Sequence, residues 1–209
     1  MSMSNRTAIV LVTGMDDVTI PTQFSDNDSE SRLIEYVLNA VWTVADHIFT
    51  VFDHEPDLKL VESIAPFGVK IIVATDKDNI LSTMSMGIEA SKSELCFVVL
   101  GNTPFIKPNL IFALFEAARG YDAAIPKWPD GKIDPLLAVY RRKAFLRVVE
   151  TNKEANTPLD IIDRLYAIRY VDVEKELKQL DPDMNSFFKI NSDEDVQKAR
   201  NIANTLMKR

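Results

Sequence analysis

Acidic residues concentrate in the segment from Gly14 to Ser31, directly after a short apolar run. It contains five carboxylates and neither lysine nor arginine; the five are Asp16, Asp17, Asp26, Asp28 and Glu30. Carboxylates can hold a divalent metal ion, but without one they repel a ligand as anionic as a nucleoside triphosphate. The segment therefore indicates either a metal-assisted ligand loop or a solvated surface loop.

Two more positions could contribute to a metal site. The sequence has four Asp-x-Asp triplets. Only Asp76-Lys77-Asp78 lies just after an apolar run of the kind that forms a strand, where a metal site could form. Asn102 follows another apolar run, and its amide oxygen could ligate Mg²⁺ without supplying charge. Since Gly101, Asn102 and Pro104 also suit a tight turn, both interpretations stay open there.

The scarcity of glycine, cysteine and histidine excludes several kinds of site. No two of the six glycines lie closer than eleven residues, which excludes both the G-x-G-x-x-G and Walker A loops. One cysteine and two histidines exclude a disulfide framework and the common zinc motifs. Cys96 lies within an apolar run, which predicts a buried, inert thiol.

Charge and hydropathy limit the partners and the location that we expect. The net charge of −7 disfavours nucleic acid, which needs clustered lysine and arginine. The first residues lack the apolar stretch of a signal peptide, and no run of eighteen apolar residues follows. We therefore expect a cytoplasmic protein that binds neither nucleic acid nor membrane.

Short apolar runs alternate with segments of helical periodicity along most of the chain. This pattern predicts strands at 8–12, 47–52, 69–73, 95–100, 122–126 and 136–140. Because parallel strands need crossover connections, four successive strand–helix units predict a mostly parallel sheet with helices on both faces. Beyond them the pattern predicts helices at 159–167 and 193–207, with extended segments at 169–173 and 186–190. With no repeat or linker, residues 1–209 are predicted to form one three-layer α/β domain.

Ligands of such sheets bind at the carboxyl ends of the strands, where the strand order reverses. A site is therefore expected in the loops that follow the predicted strands, which are those after Val12, Phe52, Val73, Leu100, Pro126 and Tyr140. The basic residues at 127–132 and 141–143 could meet an anionic substrate, or they could be solvated surface charges.

Six segments, in chain order, together carry a family resemblance. They are Ala8-Ile-Val-Leu-Val-Thr-Gly14, Arg32-Leu-Ile-Glu-Tyr-Val-Leu38, Gly87-Ile-Glu-Ala-Ser91 with Phe97-Val-Val99, Asn102-Thr-Pro-Phe-Ile106, Asp134-Pro-Leu-Leu-Ala-Val-Tyr140 and Phe187-Phe-Lys-Ile-Asn-Ser-Asp-Glu-Asp195. The set resembles the MobA-like molybdenum cofactor guanylyltransferases, within the nucleotidyltransferase and GT-A-type fold group. The resemblance implies transfer of GMP from GTP to molybdopterin, with Mg²⁺ as the metal.

The resemblance also implies residue roles. Val12, Thr13 and Gly14 fall at nucleotide-binding positions. Asp76, from the Asp76-Lys77-Asp78 triplet, is a further nucleotide-binding candidate. Asp134 and Asn191 fall on the substrate side, and Asn102 falls at the metal position. The chain departs from the family pattern at several of its functional positions. They are Val18 in place of Arg, Gln23 in place of Lys, Asn102 in place of the metal-binding Asp, Leu137 in place of His, Lys189 in place of Asn, and 79–83 in place of a Gly-rich turn.

Three hypotheses about function follow. The first is a MobA-type nucleotidyltransferase with impaired or altered catalysis, since the nucleotide loop and the metal carboxylate are lost. The second is a non-catalytic homologue that binds a ligand or a protein partner. The third is a GT-A-like glycosyltransferase that uses Asp76-Lys77-Asp78 to hold Mn²⁺.

Overall fold

The structure, a computed structural model, describes residues 6–22, 30–76 and 79–208. The strands of this part are β1 (Arg6–Val12), β2 (Thr19–Pro21), β3 (Glu30–Arg32), β4 (His47–Phe52), β5 (Lys70–Val73), β6 (Leu95–Leu100), β7 (Ala123–Lys127), β8 (Leu137–Arg141) and β9 (Ile168–Asp172). Seven of them form one sheet in the order β5-β4-β1-β6-β8-β7-β9, and the two short strands β2 and β3 form a separate ribbon.

Helices cover both faces of the sheet, as the alternating strand–helix pattern predicts. The helices are α1 (Leu33–Trp42), α2 (Leu58–Ile64), α3 (Ile80–Ala90), α4 (Pro108–Ala117), α5 (Arg142–Thr151), α6 (Pro158–Ile162) and α7 (Asp193–Leu206). Successive side chains of a strand point to opposite faces. Ala8 and Val10 accordingly join the core under α1, α2 and α4, whereas Ile9 and Leu11 join the core under α3, α5 and α6. The three-layer arrangement is therefore confirmed.

The sheet is mostly parallel, with one reversal beside the centre. β1 pairs in parallel with β4 on one side and with β6 on the other, and β4 pairs in parallel with β5. β8 runs antiparallel to β6 with Leu137 opposite Val99, so the start of β8 lies at the edge where β6 ends. The ends of β1, β4, β5 and β6 and the start of β8 therefore share one edge.

A third apolar cluster lies beside this edge. It includes Ile20 of the ribbon, Leu33 of α1, Ala199 of α7, and Phe105 of the loop after β6. Arg200 of α7 fastens the ribbon by donating to Thr19 O at 3.0 Å and by pairing with Glu30. The ribbon and α7 thus fix the chain that follows β1. In the described part of the chain, no helix is long and apolar enough to cross a membrane.

Two predicted elements near the C-terminus are wrong. The predicted helix at 159–167 ends at Ile162, because the following residues turn back so that Asp122 accepts the N–H groups of Tyr166 and Ala167. The predicted extended segment at 186–190 begins instead in a 3-10 turn, Asn185–Phe187. The buried carboxylate of Asp181 takes the N–H of Ser186 at 2.6 Å and so bends the chain there.

Candidate active site

The ends of β1, β4 and β6 meet closely enough to exchange backbone hydrogen bonds. Gly101 N donates to Leu11 O at 2.8 Å, and Asp53 N donates to Val12 O at 3.1 Å. A Cβ atom at Gly101 would lie 3.3 Å from a methyl group of Val12, so glycine permits this approach. Val12 itself is buried, whereas Thr13 and Gly14 are exposed at the edge. The predicted nucleotide-binding positions of β1 therefore lie beside the loop that carries Asn102.

Asp76 lies farther from this meeting point. It is exposed after β5, and β4 separates β5 from β1 in the sheet. The other members of its triplet, Lys77 and Asp78, lie outside the described residues. Gln23, Asp26 and Asp28 of the acidic segment lie outside them as well.

The turn after β1 directs two apolar side chains inward. Gly14 and Met15 both have left-handed φ values, +70° and +57°, which reverse the chain sharply after the strand. Val18 N then donates to Met15 O, and the side chains of Met15 and Val18 pack against the third apolar cluster. Val18 lies at the position where the resemblance has arginine. Its side chain therefore packs against the third apolar cluster and carries no charge.

A histidine links two of the carboxylates at this edge. His54 Nδ1 lies 2.5 Å from Asp53 Oδ1, and His54 Nε2 lies 3.1 Å from Asp16 Oδ2. Because a carboxylate only accepts hydrogen bonds, His54 donates to both aspartates at once only when its ring is protonated. The hydrogen bond to Asp53 raises the pKa of His54, partial burial opposes the rise, and Asp16 adds to it. When its ring is protonated, His54 therefore ties the loop after β1 to the loop after β4.

This bridge predicts a pH-dependent contribution of His54 to stability. A raised pKa in the folded state gives stability that is complete below the unfolded value, 6.5, and is lost as pH rises through the folded value. The melting temperature of the wild type should therefore fall relative to that of His54→Gln as the pH rises from about 6.5 through the raised folded-state pKa of His54. His47→Gln, at the exposed start of β4, is the matched control. A difference between wild type and His54→Gln that does not vary with pH would contradict the bridge.

Asn102 is held in a fixed orientation by the chain that returns to the site after residue 184. Its Nδ2 donates to Ile190 O at 2.9 Å and to Asn191 Oδ1 at 3.0 Å, and Ile190 N donates to Asn102 O. A carbonyl oxygen cannot donate, so Nδ2 and not Oδ1 must face Ile190. Asn102 Oδ1 is buried and has no partner among the described residues. The structure thus brings the predicted metal position and the predicted substrate-side residue Asn191 together.

Asp134, the other predicted substrate-side residue, is paired with Lys189. The Lys189 ammonium lies 2.8 Å from one carboxylate oxygen of Asp134 and 2.6 Å from the other. The Asp134 side chain is 11% exposed and that of Lys189 is 23% exposed. The pair is therefore mostly shielded from solvent, and it occupies both oxygens of the Asp134 carboxylate.

A buried aspartate fixes the start of the same returning chain. Asp181 is fully buried, and its carboxylate accepts from Ser186 N at 2.6 Å while the other oxygen lies 2.8 Å from Lys107 Nζ. Ser186 Oγ in turn accepts from Lys107 N at 3.1 Å. This network holds residues 181–191, here named the return segment, against the loop after β6.

His54, Asp53 and Asp181 are not among the residues that the sequence predicts at this site. His54 and Asp53 follow a predicted strand directly, which is the signal that could have identified them. No local pattern indicates that Asp181 is buried. Cys96 is buried as predicted, and burial raises its thiol pKa to about 11, so it is not a ready nucleophile.

A mostly parallel sheet with its loops gathered around the ends of β1 and β6 is the architecture of nucleotidyltransferase-type α/β proteins. Residues 28–168 match the model of the MobA-like NTP transferase domain. This chain belongs to the MobA-like NTP transferase family.

Relatives and solved structures agree with that assignment. A "probable molybdenum cofactor guanylyltransferase" of Methanosarcina acetivorans is 29% identical over 202 residues, covering 92% of this chain and 89% of the relative. Molybdopterin-guanine dinucleotide biosynthesis protein A of Archaeoglobus fulgidus has a similar structure, with a TM-score of 0.73 and 25% identity over 95% of this chain and 99% of that one. The 2-C-methyl-D-erythritol 4-phosphate cytidylyltransferase of Thermus thermophilus shares the fold, with a TM-score of 0.64 and 17% identity over 93% of this chain and 98% of that one.

Proposed function

We propose that this chain is a MobA-type protein in which nucleotidyl transfer is impaired. The observation that carries the proposal is the charge at the end of β1. Asp16 and Asp53 face that edge, and the cations next to them, His54 and Arg32, already contact carboxylates. Arg32 lies 3.3 Å from Asp57, and His54 bridges the two aspartates. These cations are thus already engaged where a triphosphate would need them.

The substrates that the family implies are GTP and molybdopterin, and the implied metal is Mg²⁺. In the proposal, Val12, Thr13 and Gly14 line the nucleotide side, with Asp76 at its margin. Asp134 and Asn191 line the acceptor side, and Asn102 lies between the two sides. Residues 1–209 act as one MobA-like domain.

The charges of the described residues support impairment over ordinary catalysis. Phosphoryl-type transfer depends on positioning and on neutralising charge in the transition state. Asp16 and Asp53 bring carboxylates to the end of β1, where cations are needed, and Val18 is turned toward the apolar cluster. The scaffold is nevertheless retained, because the strand ends and the return segment are fastened to one another. A ligand-binding role, for a small molecule or a protein partner, is compatible with that scaffold.

Calorimetric titration with nucleotides tests the proposal. The protein is titrated separately with GTP, ATP, CTP and UTP, each with Mg²⁺. We expect no saturable binding at micromolar concentrations, because carboxylates at the strand ends repel the phosphates. Micromolar binding of one nucleotide would contradict this expectation, because the carboxylates would then be compensated, and it would favour that nucleotide as the donor of a transferase.

The glycosyltransferase hypothesis stays a prediction, since two of the three residues on which it depends lie outside the described part of the chain. Its test is the binding of a nucleotide-sugar in the presence of Mn²⁺. The absence of such binding would dismiss it.

A further inference from the structure

Asn102 and Asp134 lie at the same edge of the sheet, after β6 and before β8. The antiparallel register of these two strands places Val99 opposite Leu137 at that edge. Both residues contact the return segment there, Asp134 through Lys189 and Asn102 through Ile190 and Asn191. The position between Asn102 and Asp134 is therefore the place where the return segment crosses this edge.

The return segment brings a cation, the Lys189 ammonium, to this position. Lys189 places its ammonium within 2.8 Å of both Asp134 oxygens, while the next two residues pair with the Asn102 amide. Consecutive residues of one short segment thus contact both sides of the position. The side chain that enters it carries a positive charge.

The donor atoms present there do not fit a divalent metal ion. Hard cations such as Mg²⁺ prefer charged oxygen ligands. Both oxygens of Asp134 face the Lys189 ammonium, and the Asn102 oxygen is neutral and buried. Among residues 6–22, 30–76 and 79–208, no group of three or more acidic, histidine or cysteine side chains could hold a metal. A divalent ion here would also be repelled by the ammonium.

We propose that Lys189 acts as a built-in cation that closes the position between Asn102 and Asp134 to divalent metal ions. The inference deepens the proposed function and rests on it, because it names a cause of the impaired transfer. Its test nevertheless needs no nucleotide, so it can fail while the proposed function stands. The position should open to a metal once the ammonium is removed and a second carboxylate is supplied.

The test measures binding of Mn²⁺ alone, by calorimetry and by the loss of the free-ion electron paramagnetic resonance signal. The variant is Lys189→Asn combined with Asn191→Asp. An aspartate at 191 can still accept from Asn102 Nδ2, so the local hydrogen bond is kept. We expect the wild type to show no saturable binding below about 1 mM, and the double variant to bind at least about tenfold more tightly.

The matched control makes the same two chemical changes elsewhere. It is Lys178→Asn combined with Asn201→Asp, two positions on the surface, where Lys178 pairs with Glu174. It should bind Mn²⁺ no better than the wild type. Thermal unfolding establishes that each variant is folded, and Lys189→Asn alone, which frees Asp134, replaces the double variant if that one does not fold.

Two outcomes would overturn the inference. One is saturable Mn²⁺ binding by the wild type that Asp134→Asn abolishes, because the position would then be open despite Lys189. The other is a folded double variant that binds Mn²⁺ no more tightly than the wild type.

Discussion

Replacing Asp181 with alanine is expected to lower the free energy of unfolding by about 1–4 kcal/mol. The carboxylate is fully buried, and it accepts the backbone N–H of Ser186. Removing it leaves that buried N–H without its acceptor, which costs about 1–3 kcal/mol. The ion pair with Lys107 is lost too, although Lys107 is one-third exposed and can turn its ammonium to water, so this loss adds about 1 kcal/mol at most. Urea unfolding monitored by circular dichroism measures the change.

Asp181→Asn separates the two contributions, because the amide oxygen can still accept from Ser186 N while the charge is removed. We expect it to cost less than half as much as the alanine substitution. Asp163→Ala, at an exposed position, is the surface control and should change stability by less than about 0.5 kcal/mol. Equal stabilities of the wild type and Asp181→Ala would show that the return segment is held by other contacts.

Hydrophobic periodicity was sufficient to predict most of the fold. The strands at the centre of the sheet were predicted within two residues of their ends, because buried parallel strands are short continuous apolar runs. The antiparallel placement of β8 was not predicted, since strand direction depends on pairing partners distant in sequence. The β2–β3 ribbon and α2 were missed as well. Each is short, and the ribbon is held by side chains of α7 that no local pattern connects to it.

The candidate site was predictable only in part, for a similar reason. The principle that ligands bind at strand carboxyl ends directed attention to the loops after Val12 and Leu100, which lie side by side in the structure. Asn102 and Asn191 are 89 positions apart in sequence, yet their side chains share a hydrogen bond. The Lys189–Asp134 pair likewise spans 55 positions. Such contacts depend on how the return segment packs, and packing is not encoded in any local spacing.

Metal-dependent transfer of a nucleotide is expected to be at least about 10³-fold slower than in an active molybdenum cofactor guanylyltransferase. Two losses act together in this expectation. Val18 packs inward where the family pattern has arginine, and Asn102 replaces a metal-binding carboxylate. Removing one preorganised stabilising group commonly costs a factor of about 10²–10³, so the combined loss of cation and metal reaches the expected value. Because the scaffold is intact, the protein should fold normally while it transfers poorly.

We infer that this chain retains the MobA-like framework but has lost the charges that drive transfer. Pyrophosphate release from GTP and molybdopterin with Mg²⁺ should be measured for this protein and for an active guanylyltransferase under the same conditions. We expect release at least about 10³-fold slower for this protein, with a melting transition showing that it is folded. A rate within about tenfold of the active enzyme would contradict this expectation, because the carboxylates at the end of β1 and the Lys189–Asp134 pair would then not hinder transfer.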